Sequence, residues 1–312
     1  MTYKYHTLDV FTDVAFGGNP LAVLTDARGL TTEQMTALTR EFNYSETVFV
    51  LPPDDPKNTR RVRIFTPGSE LPFAGHPTVG TAFLLAAIGE VDLDGDETRI
   101  VLEEGVGPVT VVIRSRNGKP YFTQLSAAKM PERGPTSCDA ATVASLLSLS
   151  VDDIDSAGAY SIEALSTGVP FLFVPIRDIA ALGRAMLNHG VWEKTLKNSW
   201  SPEVFLFTEL EESIARNGVK TGDGVLQARM FSPAMGIAED PATGSAAAAL
   251  GGYLACRSDR KDGTLKYTVY QGVEMGRPSK LEVETDVTQG IVQAVRVGGA
   301  SILISSGTLH TP

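Results

Sequence analysis

Three short stretches of this chain carry residues able to move a proton. In NYSETVFV, from Asn43 to Val50, a carboxylate stands among apolar neighbours. Side chains alternate along a strand, so Glu46 shares a face with Tyr44, Val48 and Val50. Burying an anion there is costly; the carboxyl responds with a raised pKa, which suits a proton shuttle near neutral pH. In GHPTVGTA, from Gly75, His76 stands directly before a proline. In EDPATGSA, from Glu239, Asp240 does the same, and Ser245 follows five residues later. A carboxylate and an imidazole at matched places let one group take a proton while the other donates or orients. Each has a plainer reading: Glu46 as a strand-end residue reaching water, His76 as a loop histidine, Asp240 as a helix N-cap.

Pro77 and Pro241 suit the first turn of a helix, where the missing N–H is not needed. The residues that follow them, TVGTAFLLAAIG and ATGSAAAALGGYLA, are small and apolar on nearly every side, as in a helix buried all round. A helix N-terminus presents unpaired N–H groups and the positive end of the macrodipole, a ready site for an anion. Two such tips facing one interdomain cleft would hold a substrate carboxylate without an arginine clamp. Thr81 and Ser245, at matched positions, add hydroxyl donors.

The elements that must position these groups recur within the chain. RIFTPGSELPFAGHPTVGTAFLL, from Arg63, is echoed by RMFSPAMGIAEDPATGSAAAALG, from Arg229; the connecting loop is two residues longer in the first copy. GNPLAVL, from Gly18, is echoed by GVPFLFV, from Gly168. Two echoes in the same order predict a duplication into two similar domains. Apolar runs bounded by turn residues predict strands at TLDVF, LAVL, ETVFV, RVRIF, RIVLE, VTVVI, FLFVPI, EVFLF, QARMF, KYTVY, KLEVE and ASILI. TTEQMTALTREFN has a Thr31/Gln34 capping box and helical spacing of Met35, Leu38 and Phe42. The expected fold is α+β: two pseudo-symmetric domains, each a curved sheet around one central helix. The first spans residues 1–130 and the second 131–299, with the seam between Met130 and Thr136.

Composition narrows the function. The 312 residues suffice for two domains. A net charge of −10 argues against nucleic acid or an anionic membrane as partner. Cys138 and Cys256 are the two cysteines and make no disulfide framework. No apolar run reaches the roughly 18 residues of a membrane span, and the first residues do not read as a signal peptide. The expectation is a soluble, cytoplasmic protein. His6, His189 and His310 stand in no metal-ligand spacing, and no phosphate-binding glycine motif is present, so neither a metal nor a nucleotide is expected. Trp192 and Trp200 lie in a polar stretch and read as packing at a domain surface.

The stretches quoted above, together with DVFTDVAFGGNPLAVL and QGVEMGRPSKLEV, resemble the PhzF-like, or phenazine-biosynthesis-like, family over nearly the whole chain and in order. The resemblance implies the fold of diaminopimelate epimerase, with a mixed β-barrel around each central helix and a C-terminal strand, about 300–312, returning to the first domain. It implies a cofactor-independent isomerase that moves a proton within an allylic system, as in trans-2,3-dihydro-3-hydroxyanthranilate, on a small carboxylate held in the interdomain cleft. On this likeness Glu46 removes and returns the proton. His76, Asp240 and Ser245 hold polar groups and assist. Gly75, Thr78, Thr243, Gly244 and Asn19 bind substrate, and a homodimer is implied. Two-thiol racemases of the same fold place a cysteine at each helix start, where this chain has Ala74 and Pro241. Cys256 lies on the order of 22 Å further along the helix. A PhzF-like binding protein with little catalysis, or a lyase or hydrolase at the same site, remains the alternative.

Overall fold

A computed structural model of the chain describes residues 2–136, 138–155, 159–210 and 223–310. The fold is mixed α/β, rich in strands and with few helices. It divides into two compact units, Met1–Ala128 with Val297–Pro312, and Lys129–Arg296.

In the first unit β1 (Thr2–Val10) pairs antiparallel with β2 (Asn19–Leu24) on one side. On its other side runs the C-terminal strand Ser301–His310, from Thr2↔His310 to Val10↔Ser301. Parallel strands need a crossover. Here α1 (Thr32–Phe42) carries β2 over to β3 (Glu46–Leu51), which pairs parallel with Leu21 opposite Glu46. The helix opens on the expected box: Thr31 Oγ1 accepts from Gln34 N, and Gln34 Oε1 accepts from Thr31 N. β3 continues antiparallel into β4 (Arg60–Phe65) and the short β5 (Glu70–Leu71), then α2 (Gly75–Ala87). β6 (Glu97–Glu104) lies parallel to β4 and runs on antiparallel into β7 (Gly107–Arg116) and β8 (Lys119–Ser126). Asn117 and Gly118, both at positive φ, make the two-residue turn between β7 and β8 that a twisted hairpin favours.

The second unit follows the same order. β9 (Glu132–Gly134) and α3 (Ala140–Leu146) precede β10 (Glu163–Ser166) and β11 (Pro170–Pro175). Helices α4 (Ile179–Arg184) and α5 (His189–Thr195) cross to β12 (Glu203–Glu209), parallel to β11. Antiparallel β13 (Gly224–Ser232) and β14 (Ile237–Asp240) lead into α6 (Gly244–Ala255), and β15 (Gly263–Gln271) lies parallel to β13 as β6 does to β4. β16 (Ser279–Thr288) pairs antiparallel with β15.

The slim helices of the repeat are buried on every side. All residues of α2 from Gly75 to Ala86, and all of α6, are buried. Small residues let the strands come close. A Cβ on Gly80 would meet Val10 and Leu21 at 2.6 and 2.7 Å, and one on Gly251 would meet Thr285 Oγ1 at 2.7 Å. The two helices do not start alike. Pro77 is the third residue of α2, as expected, but Pro241 lies outside α6, whose N-cap is Thr243. The pairing of Asp240 with Met230 keeps the second copy extended for longer, so Asp240 ends a strand and is not an N-cap. Trp192 likewise departs from the surface reading. It is buried in the cluster beneath α3, α4 and α5, and its Nε1 donates to Pro202 O at 2.9 Å. Among the described residues no helix is long and apolar enough to cross a membrane.

Candidate active site

Glu46 is the first residue of β3 and is buried. Its parallel partner Leu21 reaches α2 at Gly80, so the Glu46 face of the strand looks onto that helix. The second residue of α2, His76, sets Nε2 3.4 Å from Glu46 Oε2. On the other edge of the imidazole, Asn19 Nδ2 lies 3.2 Å from Nδ1, and Ser45 Oγ donates to Asn19 Oδ1 at 3.0 Å. These contacts define the proton positions. With Asn19 Oδ1 accepting from Ser45, the amide nitrogen donates to His76 Nδ1. Burial pushes the His76 pKa down to about 3, so the ring is neutral near pH 7. A neutral imidazole accepting at Nδ1 carries its proton on Nε2, the edge that faces the Glu46 carboxylate. Asn19, expected at the substrate, is fully buried and orients this imidazole.

Behind α2 a second buried carboxyl supports the helix start. Burial raises the Glu104 pKa to about 8, against the smaller opposing effect of its bond with Thr78. Its Oε1 is 2.6 Å from Thr78 Oγ1, which is 2.7 Å from Ala74 O. The Thr78 hydroxyl shares its proton between two acceptors, Glu104 Oε1 and the Ala74 carbonyl. Thr78, an expected substrate contact, is thus committed to the first turn of its own helix. Between the ordinary carboxyl pKa and about 8 the folded chain keeps a proton that the unfolded chain has lost, so stability falls as pH rises through that window. Glu104→Gln cannot ionise, and its stability relative to wild type is expected to improve from about pH 5 to about pH 8. Urea melts at the two pH values measure this; a constant difference would show that Glu104 is ionised when folded.

In the second unit the residues before α6 are held as one cluster. Thr243 Oγ1 donates to Asp240 Oδ2 at 2.5 Å. Gln271 Nε2 donates to Asp240 O at 2.7 Å and lies 3.0 Å from Thr243 Oγ1, and its Oε1 accepts from Thr243 N at 3.2 Å. Next to it Gly272 sits at φ +73°, where a Cβ would meet Pro241 O at 2.7 Å. Gln271 stands in the QGVEMG stretch, but the amino-acid string gives no sign that it grips the turn before α6. Ser245, the second residue of α6, has its carbonyl bonded by Thr167 Oγ1 at 3.3 Å. Thr81 is seven residues into α2 and fully buried, too deep for a donor at the tip. Neither α2 nor α6 has a side-chain cap, which leaves the tips at Gly75–His76 and Gly244–Ser245 with backbone N–H groups for an anion.

Cys256 is the exposed C-cap of α6 and Cys138 is buried just ahead of α3, so neither lies at the start of α2 or α6. Among the described residues no group of three or more His, Cys, Asp or Glu is placed to hold a metal ion.

A mixed α/β fold with buried apolar helices thus sets a neutral histidine beside a buried carboxylate. The model of the phenazine biosynthesis-like protein family matches residues 8–307, and the chain belongs to that family. An uncharacterized isomerase of Mesorhizobium japonicum is 39% identical over 313 residues, covering 99% of each chain. Trans-2,3-dihydro-3-hydroxyanthranilate isomerase of Pseudomonas aeruginosa is 34% identical over 309 residues, again covering 99% of each. The crystal structure of a PhzF-family protein of Bacillus anthracis superposes with a TM-score of 0.85 at 25% identity, covering 100% of both chains. Both of these curated relatives carry isomerase names, and the chain is an enzyme of the isomerase class.

Proposed function

We propose that this isomerase moves a proton on a small carboxylate substrate by acid–base chemistry alone, with no metal or organic cofactor. The arrangement that carries the reading is the chain from Ser45 through Asn19 and His76 to Glu46. It fixes a neutral imidazole and leaves the Glu46 carboxylate as the acceptor. Glu46 takes a proton from an acidic C–H, the electron pair shifts through the adjacent double bond, and the same carboxyl or a second group returns a proton further along. His76 Nε2–H steadies the carboxylate. In this reading the uncapped N–H groups at the α2 tip, beside Glu46 and His76, hold the substrate carboxylate. We take each unit as a mixed barrel around its central helix.

The Pseudomonas aeruginosa relative names the first substrate to try, trans-2,3-dihydro-3-hydroxyanthranilate. In deuterated water the protein is expected to convert it with incorporation of deuterium at a ring carbon, at a rate that excess EDTA leaves unchanged. Proton NMR reads both. If a panel of small unsaturated carboxylates including this one shows neither conversion nor exchange, the proposal is wrong.

A further inference from the structure

The peptide group that opens α2 is held from behind. Ala74 is the N-cap, and its carbonyl accepts from Thr78 N at 3.3 Å and from Thr78 Oγ1 at 2.7 Å. The other half of the same peptide is Gly75 N–H, the first donor of the tip. In a trans peptide the carbonyl and the N–H point opposite ways, so a grip on Ala74 O aims Gly75 N–H outward. A hydrogen bond to the carbonyl also polarises the N–H beyond it.

Thr78 does not act alone. Its hydroxyl lies 2.6 Å from Glu104 Oε1, so two hydrogen bonds separate that carboxyl from the tip peptide. Glu104 ends β6 and shares its inward face with Ile100 and Leu102. It is 8% exposed, and its Oε2 has no hydrogen-bond partner. A gap in the sheet gives solvent a route towards it. β4 pairs with β6 at Arg60 and Arg61 and with β5 at Ile64 and Phe65. Between these pairings a groove of about 490 Å³ opens beside Val62, Pro72 and Glu104.

The charges around the groove are already paired. Arg61 meets Asp54 at 3.1 Å, and Arg63 meets Glu70 at 2.6 Å. Glu103 accepts from Asn58 Nδ2 and from the N–H groups of Asp54 and Asp55. α2 carries one titratable side chain, the neutral His76, and the β7 residue opposite Glu104 is Gly107. The charged residues of β7 and β8, Arg114, Arg116 and Lys119, stand at the other end of that hairpin. None of these charges governs the Glu104 proton. Burial does, and it raises the pKa to about 8.

We propose that Glu104 is a positioning residue for the anion site at the α2 tip: as a neutral carboxyl it lets Thr78 hold the Ala74–Gly75 peptide, and as a carboxylate it opposes the substrate's negative charge. This rests on the reading that the tip holds the substrate carboxylate. Ionised Glu104 draws the Thr78 proton away from Ala74 O, because a charged acceptor makes the stronger bond. It also sets a negative charge close behind the tip, where little water screens it. Linkage makes the effect reciprocal: a bound carboxylate raises the Glu104 pKa, so binding above pH 8 takes up a proton.

The experiment is steady-state turnover of trans-2,3-dihydro-3-hydroxyanthranilate from pH 6 to pH 9.5 by wild type and Glu104→Gln, each first checked for a native melt across that range. Glutamine cannot ionise, and any titration of the substrate or of other groups appears in both proteins. The ratio of wild-type KM to variant KM is expected to rise about tenfold between pH 7 and pH 9, as when the protonated form alone binds, while the ratio of kcat values stays level. A carboxyl that served the fold alone would change the melts and leave the KM ratio flat. A KM ratio constant within twofold over that span overturns the proposal, as does a change confined to kcat. If Glu104→Gln does not fold, Glu104→Met takes its place under the same criteria, and a wild-type KM that is flat from pH 7 to pH 9 overturns the proposal without any variant. A wild type inert towards this substrate, or a KM equal for the substrate and its carboxamide at neutral pH, instead sinks the reading on which the proposal rests.

Discussion

Glu46→Gln is expected to lower the turnover rate by about 10²–10⁴-fold, the range a positioned general base contributes. The variant isolates the proton-carrying role proposed for Glu46 because little else changes. Glutamine has nearly the shape of glutamate, and its amide oxygen can take the place of the carboxylate oxygen that lies 3.4 Å from His76 Nε2 in the native pair. The backbone pairing of β3 with Leu21 is untouched. Stability is therefore expected to hold and substrate affinity to change little, with the loss in kcat; initial rates over a range of substrate concentrations separate the two. Full activity in the variant would mean that Glu46 merely braces the imidazole. His76 changes the proton count in the opposite sense to a carboxyl with raised pKa. The unfolded chain protonates this histidine below its ordinary pKa and the folded chain does not until about 3, so acid draws the equilibrium towards unfolding from about pH 6.5 downward. Rates should thus be compared near neutral pH, where the site is intact.

Much of this arrangement is legible before folding, for identifiable reasons. The strand at Glu46 announces itself by period and by β-branched neighbours, and the two slim helices by having no polar side. What the string withholds is long-range partnership. Asn19 is visible as a polar residue in a turn, but its grip on a ring 57 positions away exists only once β2 lies beside α2. The same holds for Gln271 and the turn before α6. Matched letters also mislead about matched geometry. HPTVG and DPATG align residue for residue, yet one lies inside a helix and the other straddles the end of a strand, because β14 pairs as far as Asp240. Glu104 goes unnoticed in RIVLEE because a strand-ending glutamate is ordinarily a solvated one. Its bond with Thr78 gives it another character. The strands β8 and β14 and the helices α3 to α5 escape a reading by period: they are short or mix polar and apolar residues without a sustained pattern.

Tyr253→Ala is expected to cost about 3–5 kcal/mol of stability, the range for truncating a fully buried aromatic residue. Against a typical total of roughly 5–15 kcal/mol, that is enough to leave much of the chain unfolded under mild denaturant. The ring is fully buried and its centroid lies 5.5–6.0 Å from those of Phe207, Phe173 and Tyr160. The Arg257 guanidinium carbon sits 3.6 Å from the ring centroid, and that arginine also binds Glu163 at 2.6 Å. The hydroxyl is used twice, donating to Ser161 O at 2.7 Å and accepting from Ser161 N at 2.9 Å. α6 needs this anchor. Its remaining residues are glycine, alanine, serine and two leucines, which bring little area to the core. Truncation leaves a cavity that neighbouring alanines cannot fill, and the helix loses the contact that sets its height against β12. The tip of α6 then drifts relative to Gln271. Tyr253→Phe keeps the ring and removes only the hydroxyl, with an expected cost of about 1–3 kcal/mol for the stranded Ser161 groups. Urea unfolding of the two variants separates ring from hydroxyl, and a Tyr253→Ala midpoint equal to that of Tyr253→Phe would show that packing on the ring does not hold the helix. If the tip of α6 binds substrate as the sequence predicts, activity measured on the folded fraction of Tyr253→Ala is expected to fall, while that of Tyr253→Phe stays near wild type.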